Sequence, residues 1–254
     1  MIGMLRWATE LGRVDILYEV AILSQYQAAA REGHIKQLIR IFAYLEKRAK
    51  LVTLYMDPRH LGLNLSPFVT KTDEFKEYYR DAREEEPHDM PRPRGQSVTT
   101  SAYVDSSHGA NKVTRRSHTG YVLFVNRAPV KWISRRQNTV ETSAFSSEFI
   151  AMKQCIEDIE HLRFKLRMFG VPLDENHSST YILCDNEGVV NNSSYVQSTL
   201  NKKHSDIAYH FTRWNVAAGV VKVAWVSTKK NIADALTKRL PESMRDYLFG
   251  EWTY

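Results

Sequence analysis

The chain has 254 residues, enough for one or two domains, with 43% hydrophobic and 25% charged residues, which is the composition of an ordinary globular protein. No apolar run is long enough to span a bilayer, the N-terminal MIGMLRWATELGR lacks the features of a secretory signal, and the two cysteines, Cys155 and Cys184, form no CxxC pair. A membrane partner, a disulfide framework and a zinc site are therefore not expected, and the +6 net charge, carried mostly past residue 98, suits either a polyanionic partner or a solvated basic face.

In chain order, residues 13–29 are apolar at helical spacing. A second helix is expected after Gly33, with Ile35, Leu38, Phe42 and Leu45 on one stripe. LVTLYM (51–56) reads as a short strand. Residues 1–58 thus form a small helical segment, and 59–98 a charged connector with a short helix at 73–83.

From residue 99 strands and helices alternate. TSAYVD (100–105), TGYVLFVN (119–126) and PVKWIS (129–134) read as strands, the last two as a hairpin turning at Arg127-Ala128. A long helix is expected over 144–169, with Phe145, Phe149, Met152, Ile156, Ile159, Leu162, Leu166 and Phe169 toward the core and Gly170 and Pro172 as its stop. TYILCD (180–185) and VVKVAWV (220–226) read as further strands, and 203–218 and 231–239 as helices. This order implies an α/β domain over 99–240, a mixed sheet flanked by helices, followed by a C-terminal tail at 241–254. Trp132 and Trp225 fall in apolar strands, and core packing is expected for both and for Trp214.

Four acids stand out by position. Asp105 and Asp185 end strands, where open α/β sheets place their ligands. Glu148 lies in the first turns of the long helix, and Asp234 opens the last one. Gathered by the fold, four carboxylates would repel one another unless a cation neutralised them, and magnesium prefers oxygen ligands.

Four motif stretches carry a resemblance. They are YVDSSHGANKVTRRSHTGYVLFVNRAPVKWISRRQNTVETSAFSSEFIAMK, ILCDNEGVV, KKHSDIAYHFTRWNVAAGVVKVAWV and NIADALTK. In this order the region resembles the RNase H domain at the C-terminal end of copia-type LTR retrotransposon polyproteins. The resemblance implies an RNase H-like fold. It puts Asp105, Glu148, Asp185 and Asp234 on the family's catalytic, metal-binding acids, holding two Mg²⁺ ions, with Mn²⁺ as a substitute. It further implies cleavage of the RNA strand of an RNA–DNA hybrid, with the rest of the reverse transcriptase polyprotein as partner, in a cytoplasmic virus-like particle or the nucleus.

The N-terminal stretches IGMLRWATELGRVDILYEVAILSQY and GHIKQLIRIFAYLEK resemble the end of the copia-type reverse transcriptase, with Val14 where the family has proline. No YxDD-like polymerase motif is present. The chain is thus expected to be the tail of a larger polyprotein, or a degenerate element beginning at an internal methionine.

For substrate contacts the candidates are Arg116, Ser117, Thr119, Arg136, Gln137, Asn186, Lys203 and His204. Asn186 suits a helix cap better than a catalytic role. The basic pairs Arg115-Arg116, Arg135-Arg136, Lys202-Lys203 and Lys229-Lys230 are further phosphate candidates. The loop before Asp234, STKKNI, lacks the histidine that many RNase H enzymes carry there. Two other readings stand beside the nuclease: a non-catalytic hybrid-binding or connection module of a degenerate retroelement, and an integrase, which would need a glutamate as its last acid.

Overall fold

The computed structural model describes residues 1–49, 59, 72–174, 178–198 and 206–250. The strand expected at 51–56 and the candidates Lys203 and His204 lie outside these residues.

Among its described residues the N-terminal segment holds three α-helices: α1 (Ile2–Glu10), α2 (Leu17–Ser24) and α3 (Glu32–Lys47). Helix α1 was not expected, because its apolar Met4 and Trp7 point outward and leave no clean stripe. The apolar stretch 13–29 is only partly α-helical, its middle forming α2 between two short 3₁₀ turns. In α3 the residue most deeply inserted is Ile41, packed with Leu5, Ile16 and Val20. Leu38, Phe42 and Leu45 lean on this cluster, whereas Ile35 faces outward.

Helix α4 (Thr72–Tyr78) opens the charged stretch before the sheet and ends sooner than the expected 73–83. Its Phe75 is fully buried in the main core. The sheet has five strands: β1 (Thr100–Ser107), β2 (His118–Val125), β3 (Ala128–Arg136), β4 (Thr180–Cys184) and β5 (Val221–Trp225). Their order is β3-β2-β1-β4-β5. β1, β2 and β3 pair antiparallel, and β1, β4 and β5 pair parallel. This is the expected mixed RNase H-like sheet.

Helices cover both faces. On one, α5 (Ala144–Met168) packs Phe149, Met152, Ile156 and Ile159 against Ala102, Val104 and Ile182, backed by α7 (Asp206–Ala217). Ser143 caps α5 by accepting the Ser146 amide at 3.2 Å, and Gly170, at φ 70°, ends it in the left-handed conformation that glycine adopts without strain. The expected core position Phe169 is 78% exposed, because the helix has already turned away there. Helix α6 (Glu187–Ser194) follows β4.

On the other face, the single turn α8 (Asp234–Thr237) and α9 (Glu242–Phe249) pack Leu236, Leu248 and Phe249 against Val122, Phe124 and Val14. Helix α9 occupies the stretch expected as a tail. Trp132 leans on this cluster, its indole donating to the Thr9 carbonyl at 2.9 Å. Trp214 and Trp225 are not core residues: they are 40% and 37% exposed, and Trp225 ends an edge strand.

Candidate active site

β1 and β4 are parallel neighbours, so their C-terminal ends point the same way. Asp185 stands one residue past β4. Asp105 stands inside β1, which runs two residues further than the sequence suggests, so it is held by strand pairing rather than by a loop. Asp105 is 1% exposed.

The third acid arrives from the opposite end of the chain. Asn231 anchors the loop before α8: its side chain donates to the Val104 carbonyl at 3.1 Å and accepts the Ala233 amide at 3.1 Å. Asp234 begins α8 immediately after. Carboxylate oxygens of Asp105, Asp185 and Asp234 lie within 4.8 Å of one another. Asn231 was not singled out from the sequence, although it opens the NIADALTK stretch; its complete burial is visible only in the fold.

Glu148 reaches the same centre from the second turn of α5. It accepts the Ser106 backbone N–H, and Asp105 and Asp185 are its charged neighbours. Its Oε2 is buried without a hydrogen-bond partner. A buried carboxylate oxygen left bare is costly unless something cationic meets it.

The electrostatics agree. Burial first, and then Asp234 and Asp185, push the Asp105 carboxyl up to about 7, against the pull of Lys238 and the Thr237 hydroxyl. Burial, with Asp105 and Asp185, raises Glu148 well above the usual carboxylate range. Burial also raises Asp234, although Lys238 opposes it. Like charges about 4 Å apart repel by roughly 4 kcal/mol per pair at an effective dielectric near 20. The donor set is all oxygen, one oxygen is orphaned, and the charge is unbalanced. These residues fit a hard divalent cation such as Mg²⁺ or Mn²⁺.

Expected substrate contacts divide by burial. Ser117, Thr119 and Gln137 are 0%, 0% and 1% exposed, so they serve the fold rather than a surface. Ser117 Oγ accepts the Gly109 amide at 3.1 Å. Gln137 donates from Nε2 to Thr119 Oγ1 at 3.0 Å and to the Ser147 carbonyl at 2.9 Å, next to Glu148. Asn186 is the cap of α6, accepting the Val189 amide at 3.3 Å. Arg116 and Arg136 remain partly open to solvent, Arg136 at the end of β3 beside His118. Lys229 and Lys230 are exposed on the turn before Asp234.

Two acids carried by the central strands β1 and β4 and two carried by helices α5 and α8, gathered on this mixed sheet, define an RNase H-like domain. No family model matches the chain. It is 27% identical over 228 residues to a retrovirus-related Pol polyprotein from transposon RE1 of Arabidopsis thaliana, and 25% identical over 228 residues to that from transposon RE2 of the same plant. Each alignment covers 90% of this chain and 13% of the relative, so the chain spans about an eighth of the length of these relatives. Among solved structures, the N-terminal RNase H domain of a Mycobacterium tuberculosis protein, solved fused to maltose-binding protein, superposes with a TM-score of 0.42 at 13% identity, covering 61% of this chain and 99% of that one. The chain is thus similar to retrotransposon Pol polyproteins over nine-tenths of its own length.

Proposed function

We propose that this chain is the RNase H module of a retrotransposon reverse transcriptase polyprotein, hydrolysing the RNA strand of RNA–DNA hybrids with a divalent metal. The observation that carries the proposal is the convergence of Asp105, Asp185 and Asp234 within 4.8 Å beside the unpartnered Oε2 of Glu148. That set offers seats for two Mg²⁺ ions, with Mn²⁺ as a substitute. The ions supply Lewis acidity and the positive charge that a phosphodiester needs for in-line hydrolysis.

The chain's own residues have distinct parts. Asp105 is rigid, fixed within the strand ladder. Asp185 is placed by β4 and by Asn186, which starts α6 directly after it. Asp234 is placed by Asn231. Glu148 keeps one oxygen tied to the Ser106 amide and the other free for the reacting centre. Arg116, Arg136 and the exposed Lys229-Lys230 pair provide cationic groups for the phosphate backbone, which positions a duplex without reading its sequence. The partners are the hybrid and the remainder of the polyprotein, and the place of action is the cytoplasmic virus-like particle or the nucleus.

Incubation of the purified chain with end-labelled hybrid and Mg²⁺ tests the reading. Cleavage of the RNA strand is expected, absent with EDTA and in Asp185→Asn. Cleavage no greater than that of Asp185→Asn overturns it; retained hybrid binding in that case assigns the chain to a non-catalytic binding module.

A further inference from the structure

One cation already faces the acidic centre. Lys238 directly follows α8, whose single turn brings residue 238 back over residue 234. Its Nζ stands 2.9 Å from Asp234 Oδ1 and 3.7 Å from Asp105 Oδ2. Asp185 is the third charge acting on it. The ammonium therefore addresses the same three carboxylates whose oxygens converge, while Glu148 Oε2 stays bare. The side chain is 39% exposed, so its head has a path out to solvent.

We propose that Lys238 is an internal counter-ion of the acidic centre: it balances the carboxylates until a divalent ion enters, and that ion must displace it. The inference rests on the metal-centre reading above. Lys238 thereby sets how much divalent metal the domain needs, and in the loaded state its ammonium is released toward the solvent side. The argument is electrostatic. An ammonium and a divalent ion sharing the same oxygens repel, so removing the ammonium strengthens metal binding. Partial exposure screens the effect to about tenfold.

The test is calorimetric titration of Mn²⁺ into the full chain, its Lys238→Met variant and its Lys238→Arg variant, with no nucleic acid present. Methionine keeps the apolar stem and removes the charge; arginine keeps the charge. Lys238→Met is expected to bind Mn²⁺ about tenfold more tightly than the parent, and Lys238→Arg no more tightly than the parent. Thermal unfolding supplies a second readout: in EDTA the Met variant should melt below the parent, and saturating Mn²⁺ should raise its melting temperature by more than the parent's. Equal or weaker Mn²⁺ binding by Lys238→Met overturns the inference and leaves the metal centre standing. No binding to any of the three proteins overturns the metal-centre reading and this inference with it.

Discussion

Gly120 lies directly beneath Leu236: a Cβ at position 120 would stand 2.8 Å from the Leu236 Cβ and 2.7 Å from Thr237 Cγ2. Gly120 is also the cross-strand partner of Asp105. The missing side chain is what lets α8 sit on the sheet close enough for the Thr237 hydroxyl to bond the Asp105 carboxylate and for Asp234 to join it. Gly120→Ala must push α8 away, because Leu236 Cβ is fixed to its backbone and turning Thr237 Cγ2 aside would break the bond from its hydroxyl to Asp105. A stability loss of about 1–3 kcal/mol is expected from the overpacking. Displacement of the acids by an ångström should lower hybrid cleavage by roughly a hundredfold. Single-turnover cleavage by a variant that circular dichroism shows to be folded checks this; wild-type rates would refute it.

Gln137 acts on Glu148 through the backbone. Its amide holds the Ser147 carbonyl while Ser106 Oγ donates to Ser147 Oγ at 2.9 Å, so the start of α5 is tied to β1 and β2 beside the site. Gln137→Ala removes two buried hydrogen bonds and should cost about 1–3 kcal/mol. Because Gln137 is buried, kcat is expected to fall with KM for the hybrid little changed. A rise in KM alone would return Gln137 to the substrate surface.

How far the site was legible depended on what each residue's role demands of the pattern around it. Asp105 and Asp185 announce themselves because each ends an apolar run that reads as a strand, and Asp234 because it opens a helix, although β1 in fact runs two residues past Asp105. Polar residues inside the same motifs give no such clue. Ser117, Thr119 and Gln137 read as donors for a phosphate, yet a hydroxyl or amide that satisfies a buried neighbour has the same one-letter signature as one that meets a ligand. Trp225 shows the converse limit: an apolar strand reads as core along its length, but β5 is an edge strand and its last residue looks outward. The close approach at Gly120 and the return of Lys238 onto Asp105 depend on long-range packing that no local pattern encodes.

The stretch before the sheet is held far more firmly than a charged connector suggests. Glu84 receives both Arg163, from Nε at 2.6 Å and Nη2 at 2.8 Å, and Arg167, from Nη1 at 2.5 Å and Nη2 at 2.7 Å. Burial pushes the Glu84 carboxyl up, and the two guanidinium groups outweigh it, holding it below the usual range. Nearby, Arg213 stacks 4.8 Å over the buried Phe75 ring. Arg163 is itself fully buried, so Glu84→Ala strands its charge inside the protein. A loss of about 3–5 kcal/mol is expected by chemical denaturation. The double variant Glu84→Ala/Arg163→Met should recover part of it; a single variant as stable as the parent would sink the argument.

His118 on β2 bonds Ser134 on β3, which in turn holds the Leu236 carbonyl of α8, and it gives stability a pH dependence. Ser134 Oγ donates its only proton to the Leu236 carbonyl at 2.7 Å, so at 2.8 Å it accepts from His118 Nε2, which puts a ring proton on that nitrogen. Burial, and then Arg136, lowers the pKa of His118 to about 4. The ordinary value is about 6.5, so between these two values the unfolded chain binds a proton that the folded chain refuses. Stability therefore rises with pH across that window; the contribution is complete above about 6.5 and lost as pH falls toward 4, amounting to at most about 3 kcal/mol. His118→Gln keeps a donor at this position and removes the titration. The difference in unfolding free energy between parent and His118→Gln should shrink from pH 7 to pH 5, as the parent alone forfeits the histidine contribution. A difference that stays constant over this range would show that His118 is not held neutral.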